Sequence, residues 1–140
     1  MKNYASMHGA PIARRVLLVD DDVDSAWALG QLLAAELDCQ VSVASDGAQA
    51  VDLASDLRPQ VVLMDISMPR IDGIEAARLL RRLFAPADMP WLVAMTGDAA
   101  DGNRQRILQS GFDRYLTKPI EFDALLAALA IPAVRGVRSA

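Results

Sequence analysis

Short runs of branched apolar residues, each breaking off at a polar or acidic residue, alternate along this chain with stretches whose apolar residues recur at steps of three and four. Val16-Leu17-Leu18-Val19 has the continuous apolar character of a strand buried on both faces, and it stops at Asp20-Asp21-Asp22, where the chain emerges into solvent. With Asp24 as N-cap, Ala26, Leu29, Leu33 and Leu37 then mark one face of a helix. The unit repeats. Val41 to Ala44 reads as a second, more polar strand, followed by a helix on Ala50, Leu53, Ala54 and Leu57 that must stop before Arg58-Pro59. Val61-Val62-Leu63-Met64 is a third strand, ending in Asp65. After a Met68-Pro69 turn comes a helix that turns Ile74, Ala77, Leu80 and Phe84 inward. Trp91 to Met95 forms a fourth strand ending at Thr96. The segment from Asp98 to Ser110 carries a thin stripe of only Ile107 and Leu108, so it is expected to be a weakly anchored helix. Arg114 to Thr117 is a short fifth strand, and Phe122, Leu125, Leu126 and Leu129 define a last helix.

Strands that alternate with helices in this way make a parallel sheet covered on both sides, because parallel neighbours need crossover connections. The expected organisation is a tail over residues 1–14, one α/β domain over 15–130 and a second tail over 131–140. With 140 residues and 53% apolar content there is enough chain for an ordinary core. Cys39 is the single cysteine, so a disulfide scaffold is excluded and a reducing, cytoplasmic compartment is expected. The residues up to Arg15 lack the apolar segment of a secretory signal, and no run approaches the ~20 residues needed to span a bilayer. A net charge of −4 disfavours nucleic acid as a partner.

Ligands of such sheets bind beyond the carboxyl ends of the strands. Asp20 and Asp21, Asp65, Thr96 and Lys118 all fall there. Taken singly, each has a plainer account as a cap, a turn residue or a solvated charge. Together they crowd three carboxylates, a hydroxyl and an ammonium into one concavity. Carboxylates that close repel unless a cation intervenes, and a few oxygen ligands completed by water suit Mg2+. A zinc set is lacking, since His8 is the only histidine and Cys39 stands alone. Mg2+, a hydroxyl donor and a lysine can hold a phosphoryl group, and an aspartate can accept one covalently.

The strings Leu18-Val19-Asp20-Asp21-Asp22, Leu63-Met64-Asp65-Ile66-Ser67-Met68-Pro69-Arg70-Ile71-Asp72-Gly73, Thr96-Gly97 and Tyr115-Leu116-Thr117-Lys118-Pro119 resemble, in this order and spacing, the receiver domains of two-component response regulators. The resemblance covers Arg15 to Leu129. It implies a flavodoxin-like fold with strand order 2-1-3-4-5, and a phosphoacceptor signalling protein rather than an enzyme, with at most slow self-dephosphorylation. Asp65 would take the phosphoryl group from phosphohistidine on a sensor histidine kinase or a histidine phosphotransfer protein. Asp21, Asp65 and the backbone carbonyl of Ser67 would hold Mg2+ directly, and Asp20 through water. Thr96 and Lys118 would each meet a phosphoryl oxygen. Thr96 and Tyr115 would form the switch, and Ser67 and Asp98 would set the rate of phosphoryl loss. A cis Lys118-Pro119 bond is implied as well. Ile66 follows the nucleophile, so neither Trp27 nor Trp91 is expected to flank the metal.

The eleven residues after Leu129 contain nothing able to form a core, so the expected output is a contact with another protein through the fourth helix, fifth strand and fifth helix. The first helix is the expected kinase-docking surface. A receiver cut from a larger hybrid kinase is the alternative origin, which the Thr96-Gly97-Asp98 and Phe112-Asp113 context resembles. Two other functions are compatible with parts of the pattern. Asp20-Asp21-Asp22 loosely offers the Asp-x-Asp of haloacid dehalogenase-like phosphatases, with Asp20 as nucleophile and Asp22 as acid. That alternative leaves Asp65 unexplained, and only Glu121 and Asp123 follow the lysine. A receiver-like module that binds partners without phosphorylation is the other.

Overall fold

A computed structural model describes residues 11–66, 73–97 and 101–131, the first three of the last span by backbone alone. In chain order the elements are β1 (Arg15–Val19), α1 (Val23–Leu37), β2 (Gln40–Ala44), α2 (Gly47–Leu57), β3 (Val61–Asp65), α3 (Gly73–Leu83), a 3-10 turn (Pro86–Asp88), β4 (Trp91–Thr96), α4 (Asp101–Gln109), β5 (Arg114–Thr117) and α5 (Phe122–Ala128). The five strands are all parallel, in the order β2-β1-β3-β4-β5. This is the flavodoxin-like arrangement that the resemblance to receiver domains implies.

The apolar runs become the middle of the sheet. Every residue of β3 and β4 is buried, and in β1 only Arg15 is exposed. Alternation along these strands feeds two cores. Leu17, Val19, Val62, Met64, Leu92 and Ala94 pack with α2, α3 and α4, whereas Val16, Leu18, Leu63, Val93, Met95 and Leu116 pack with α1 and α5. β2 lies at the edge, which explains its more polar sequence.

The start of α1 departs from the sequence expectation. The N-cap of α1 is Asp22 and not Asp24. The backbone at Asp22 is extended, and its Oδ1 accepts from the N–H groups of Asp24 and Ser25 at 3.1 and 3.2 Å. Asp24 sits inside the first turn instead, where its charge complements the helix dipole. α2 opens with a reciprocal cap: Asp46 accepts from Gln49 N–H at 2.8 Å, and Gln49 Oε1 accepts from Ser45 N–H at 2.7 Å. It ends at Leu57, as the Arg58-Pro59 pair requires.

α4 is thinner than expected. Ile107 is fully buried, but Leu108 is exposed, so a single apolar side chain among its described ones reaches the core. Phe84 lies one residue past α3 and is still half-buried against the core. The amino-terminal pole of the sheet is closed by the segments just before β1 and just after α5. Ala13 N–H donates to Leu129 O at 2.9 Å and Ile131 N–H to Pro11 O at 2.8 Å, so residues 11–13 pack against 129–131.

Cys39 is buried beside this closure, its Sγ–H directed at Ala13 O, 3.2 Å away. Burial, and next the Asp38 carboxylate, push its thiol up to about 11 from an ordinary 9.0. Between these two values the unfolded chain releases the thiol proton and the folded chain keeps it, so this group lowers stability as pH rises through 9.0 and the loss levels off near 11. Urea titrations of the protein and of Cys39→Ala across this range are expected to diverge in that sense. Alkylation of the native thiol at pH 8 should run about a hundredfold or more slower than in urea, the ratio that the depressed thiolate fraction alone implies.

Candidate functional site

The carboxyl ends of β1, β3, β4 and β5 meet in one concavity. Asp20 follows β1 and is tied to the edge strand by its own N–H, which donates to Ala44 O at 3.1 Å. Asp65 is the last residue of β3, and Thr96 and Thr117 face each other at the ends of β4 and β5. Lys118 comes immediately after, its N–H held by Thr96 O at 2.8 Å, and the Lys118-Pro119 bond is cis as the resemblance implied.

These side chains converge. Carboxylate oxygens of Asp20, Asp21 and Asp65 all lie within 4.8 Å of one another. Asp20 and Asp65 are buried and Asp21 is exposed, so two charges sit under the rim and one at it. Lys118 Nζ is 3.3 Å from Asp65 Oδ2 and supplies the ammonium facing the cluster. Thr96 is buried at the same strand ends. The structure thus brings Asp20, Asp21, Asp65 and Lys118 together, with Thr96 buried at the neighbouring strand end. Ser67 and Asp98 lie outside the described residues. Trp91 stands at the start of β4, the strand end away from Thr96, and Trp27 lies exposed on α1.

Within the cluster Asp20 carries the electrostatic signature of a buried carboxylate beside like charges. Burial, aided by Asp65 and Asp21, raises the Asp20 carboxyl above its ordinary value, against the opposing pull of the Asp22 N–H and of Lys118. The Asp22 N–H reaches Asp20 Oδ1 at 2.9 Å. Asp22 itself is shifted down, chiefly because Ser25 N–H donates to it, and is engaged as a helix cap rather than in the cluster. Hard oxygen donors at this spacing, two of them desolvated, suit a small divalent cation with waters in its remaining positions. The residues present fit Mg2+.

Two neighbours of the site carry no sequence signal of their own. A groove of about 350 Å³ runs from Asp20 and Lys118 along Ala28, Leu29, Leu32 and Ile120, between α1 and the loop after β5. Val23 and Trp27 stand exposed on the same helix. On the far side, the Arg104 guanidinium of α4 lies over the Tyr115 ring, 5.2 Å from its centre. Both features depend on how helices are turned against the sheet, and for α4, with so short an apolar stripe, periodicity leaves that open.

The comparisons with known proteins agree with this geometry. The family model described as response regulator receiver domain matches residues 16–130. Response regulator MprA of Mycobacterium sp. (strain KMS) is 38% identical over 115 residues, which are 82% of this chain and 48% of that protein. The chain thus spans about half the length of the curated relatives of this type that it matches. Among solved structures, the receiver domain of sensor histidine kinase PA1611 from Pseudomonas aeruginosa, described with a magnesium ion coordinated in the active site cleft, is 32% identical with a TM-score of 0.74, covering 83% of this chain and 93% of that one. The receiver domain of the Saccharomyces cerevisiae regulator Ssk1, in a co-crystal with the histidine phosphotransfer protein Ypd1, is 27% identical with a TM-score of 0.75, covering 84% and 87%. Among the described residues no helix is long and apolar enough to cross a membrane.

Proposed function

This chain belongs to the response regulator receiver domains of two-component systems, and we propose that within that family it works as a phosphoacceptor, taking a phosphoryl group onto Asp65. The observation that carries the proposal is the placement of Asp65: buried at the end of β3, with Lys118 Nζ at 3.3 Å and two further carboxylates within 4.8 Å.

In the proposed step an Asp65 carboxylate oxygen attacks phosphorus of a phosphohistidine. The new O–P bond forms as the N–P bond breaks, and the N–P electron pair goes to that ring nitrogen; the other ring nitrogen, protonated from solvent, keeps its proton, so the imidazole leaves neutral. Lys118 offsets charge on one phosphoryl oxygen and the Thr96 hydroxyl donates to another. Asp21, Asp65 and the Ser67 carbonyl would hold Mg2+ directly, with Asp20 acting through water. Bound there, the ion would neutralise the crowded carboxylates and the phosphoryl oxygens. Ser67 and Asp98 are proposed to tune the lifetime of the product. Thr96 and Tyr115 would transmit it to the face of α4, β5 and α5, where a downstream protein is proposed to bind.

The donor is proposed to be a histidine kinase or a histidine phosphotransfer protein seated on α1. Val23, Trp27 and the groove beside Asp20 give that helix an apolar surface contiguous with the mouth of the site. Such a setting is consistent with a cytoplasmic location.

Intact mass after incubation with Mg2+ and acetyl phosphate tests this reading. One phosphoryl adduct is expected on the protein, and none on Asp65→Asn or with the metal chelated. An adduct that survives Asp65→Asn and disappears in Asp20→Asn would move the nucleophile to β1 and favour the phosphatase reading. No adduct under any condition would leave the phosphorylation-independent module.

A further inference from the structure

We infer that Arg104 is a positioning residue: its guanidinium, stacked on the Tyr115 ring, holds that ring where it stands and so sets how readily the site responds to an occupant at Asp65. The inference rests on the switch reading of Thr96 and Tyr115 given above and adds the group that biases it.

Tyr115 lies opposite Ala94 in the pairing of β5 with β4, two residues from Thr96 along β4. Alternation puts residues 94 and 96 on one face of the sheet, the face that α4 covers. The ring is half-buried there, packed against the core shared by α2, α3 and α4. Its outer side is covered by the Arg104 guanidinium carbon, 5.2 Å from the ring centre, within the range of a cation–π contact. Arg104 is itself exposed, so the ring is trapped between the core and a solvent-facing cation.

What makes this contact matter is how little else fastens α4. Ile107 is its one buried side chain among those described, and Ser110 and Gly111 close its end through backbone bonds. β5 next to it is short, at four residues, and only Leu116 in it is buried. The stacked pair is therefore a direct side-chain tie between helix and strand. Thr96 turning toward a phosphoryl group would vacate space that the Tyr115 ring can fill, and a ring that moves into that space breaks the stack. Arg104 consequently opposes the switched state and makes α4 respond when Tyr115 moves.

The test uses the full chain labelled with carbon-13 at tyrosine, in which only Tyr4 and Tyr115 report. Arg104→Ala is expected to shift and narrow the Tyr115 ring signals with no cation at the site. It should also tighten binding of beryllofluoride with Mg2+, a phosphoryl mimic, by about two- to fivefold, the scale of an exposed cation–π contact. Arg104→Lys should fall between the two, since it keeps a cation over the ring. In a Tyr115→Leu background the Arg104→Ala effect on mimic affinity should vanish. Unmoved Tyr115 signals in Arg104→Ala, or an undiminished affinity change in the Tyr115→Leu background, would overturn the inference. Because the ring signals are read without any occupant, a failure of Asp65 to accept phosphate would not be mistaken for a failure of the contact.

Discussion

Asp20→Asn is expected to stabilise the protein in chelator and to abolish most of the stabilisation that Mg2+ confers. The first half follows from the direction of the Asp20 shift. Its carboxyl is raised in the folded state, mainly by burial and further by Asp65 and Asp21. A raised acid is ionised less willingly in the fold than in the unfolded chain, so its charge costs stability once pH exceeds the ordinary value of 3.8. Asparagine removes that charge and keeps an oxygen for the Asp22 N–H, now 2.9 Å from Asp20 Oδ1. Lys118 retains Asp65 as its partner at 3.3 Å. The second half follows from the proposed place of Asp20 beside the ion. An ion that binds only the folded state adds about 1.4 kcal/mol when present at ten times its dissociation constant, and removing one of the three clustered charges, the one that would act through a bound water, raises that constant. Thermal melts in chelator and in Mg2+ should therefore cross: the variant melts higher in the first and gains little in the second. Its acetyl phosphate adduct should form about a hundredfold more slowly, if at all. A variant less stable in chelator, or one keeping the full Mg2+ shift, would show that the cluster is not an under-neutralised cation site.

Much of this site is legible in the sequence because parallel-sheet geometry converts position along the chain into position in space. Each buried run ends at the same edge of the sheet, so the residue after it, whether Asp20, Asp65, Thr96 or Lys118, needs only the strand boundary to be placed. What was less legible depends on local competition or on helix phase. Three acids in succession, Asp20 to Asp22, followed by Asp24, give several chemically equal caps for α1. The choice of Asp22 is made by its extended backbone and by the Asp24 and Ser25 N–H groups within its reach. On α4, Ile107 and Leu108 are neighbours 100° apart, so only one can face the core, and the sequence alone does not say which. The Arg104 to Tyr115 contact inherits that ambiguity. Arg81 was likewise unforeseen: it reaches Gly111 O and the Asp113 carboxylate, which also accepts from Leu92 N–H at 2.8 Å, tying α3 to the loop before β5.

Gly73 shows the same limit in reverse, since it stood in the quoted motif without a physical reason until the tertiary structure supplied one. It is the first residue of α3, and a Cβ built on it would lie 2.7 Å from Ile66 Cα and 3.0 Å from Asp65 O. Both are backbone atoms that cannot rotate away. In Gly73→Ala the helix start and the end of β3 must therefore separate, and the segment displaced is the one that holds the Asp65 carboxylate. At the first position of the helix alanine gains less than the roughly 1 kcal/mol it gains in a helix interior, and overpacking opposes it by about 1–3 kcal/mol, so a net loss of stability is expected. Misplacement of Asp65 should slow adduct formation about ten- to a hundredfold, because the attacking oxygen must stay within a narrow distance of phosphorus. Gly30→Ala is the matching control. Its Cβ would make an ordinary contact with Val41 Cγ1 at 3.7 Å in the middle of α1, so only the propensity gain remains and the protein should become more stable at unchanged adduct rate. Urea titrations and adduct kinetics on the two variants should thus move in opposite directions for stability and differ in rate. If Gly73→Ala matched Gly30→Ala in both, the close approach of α3 to Asp65 would not be what the glycine secures.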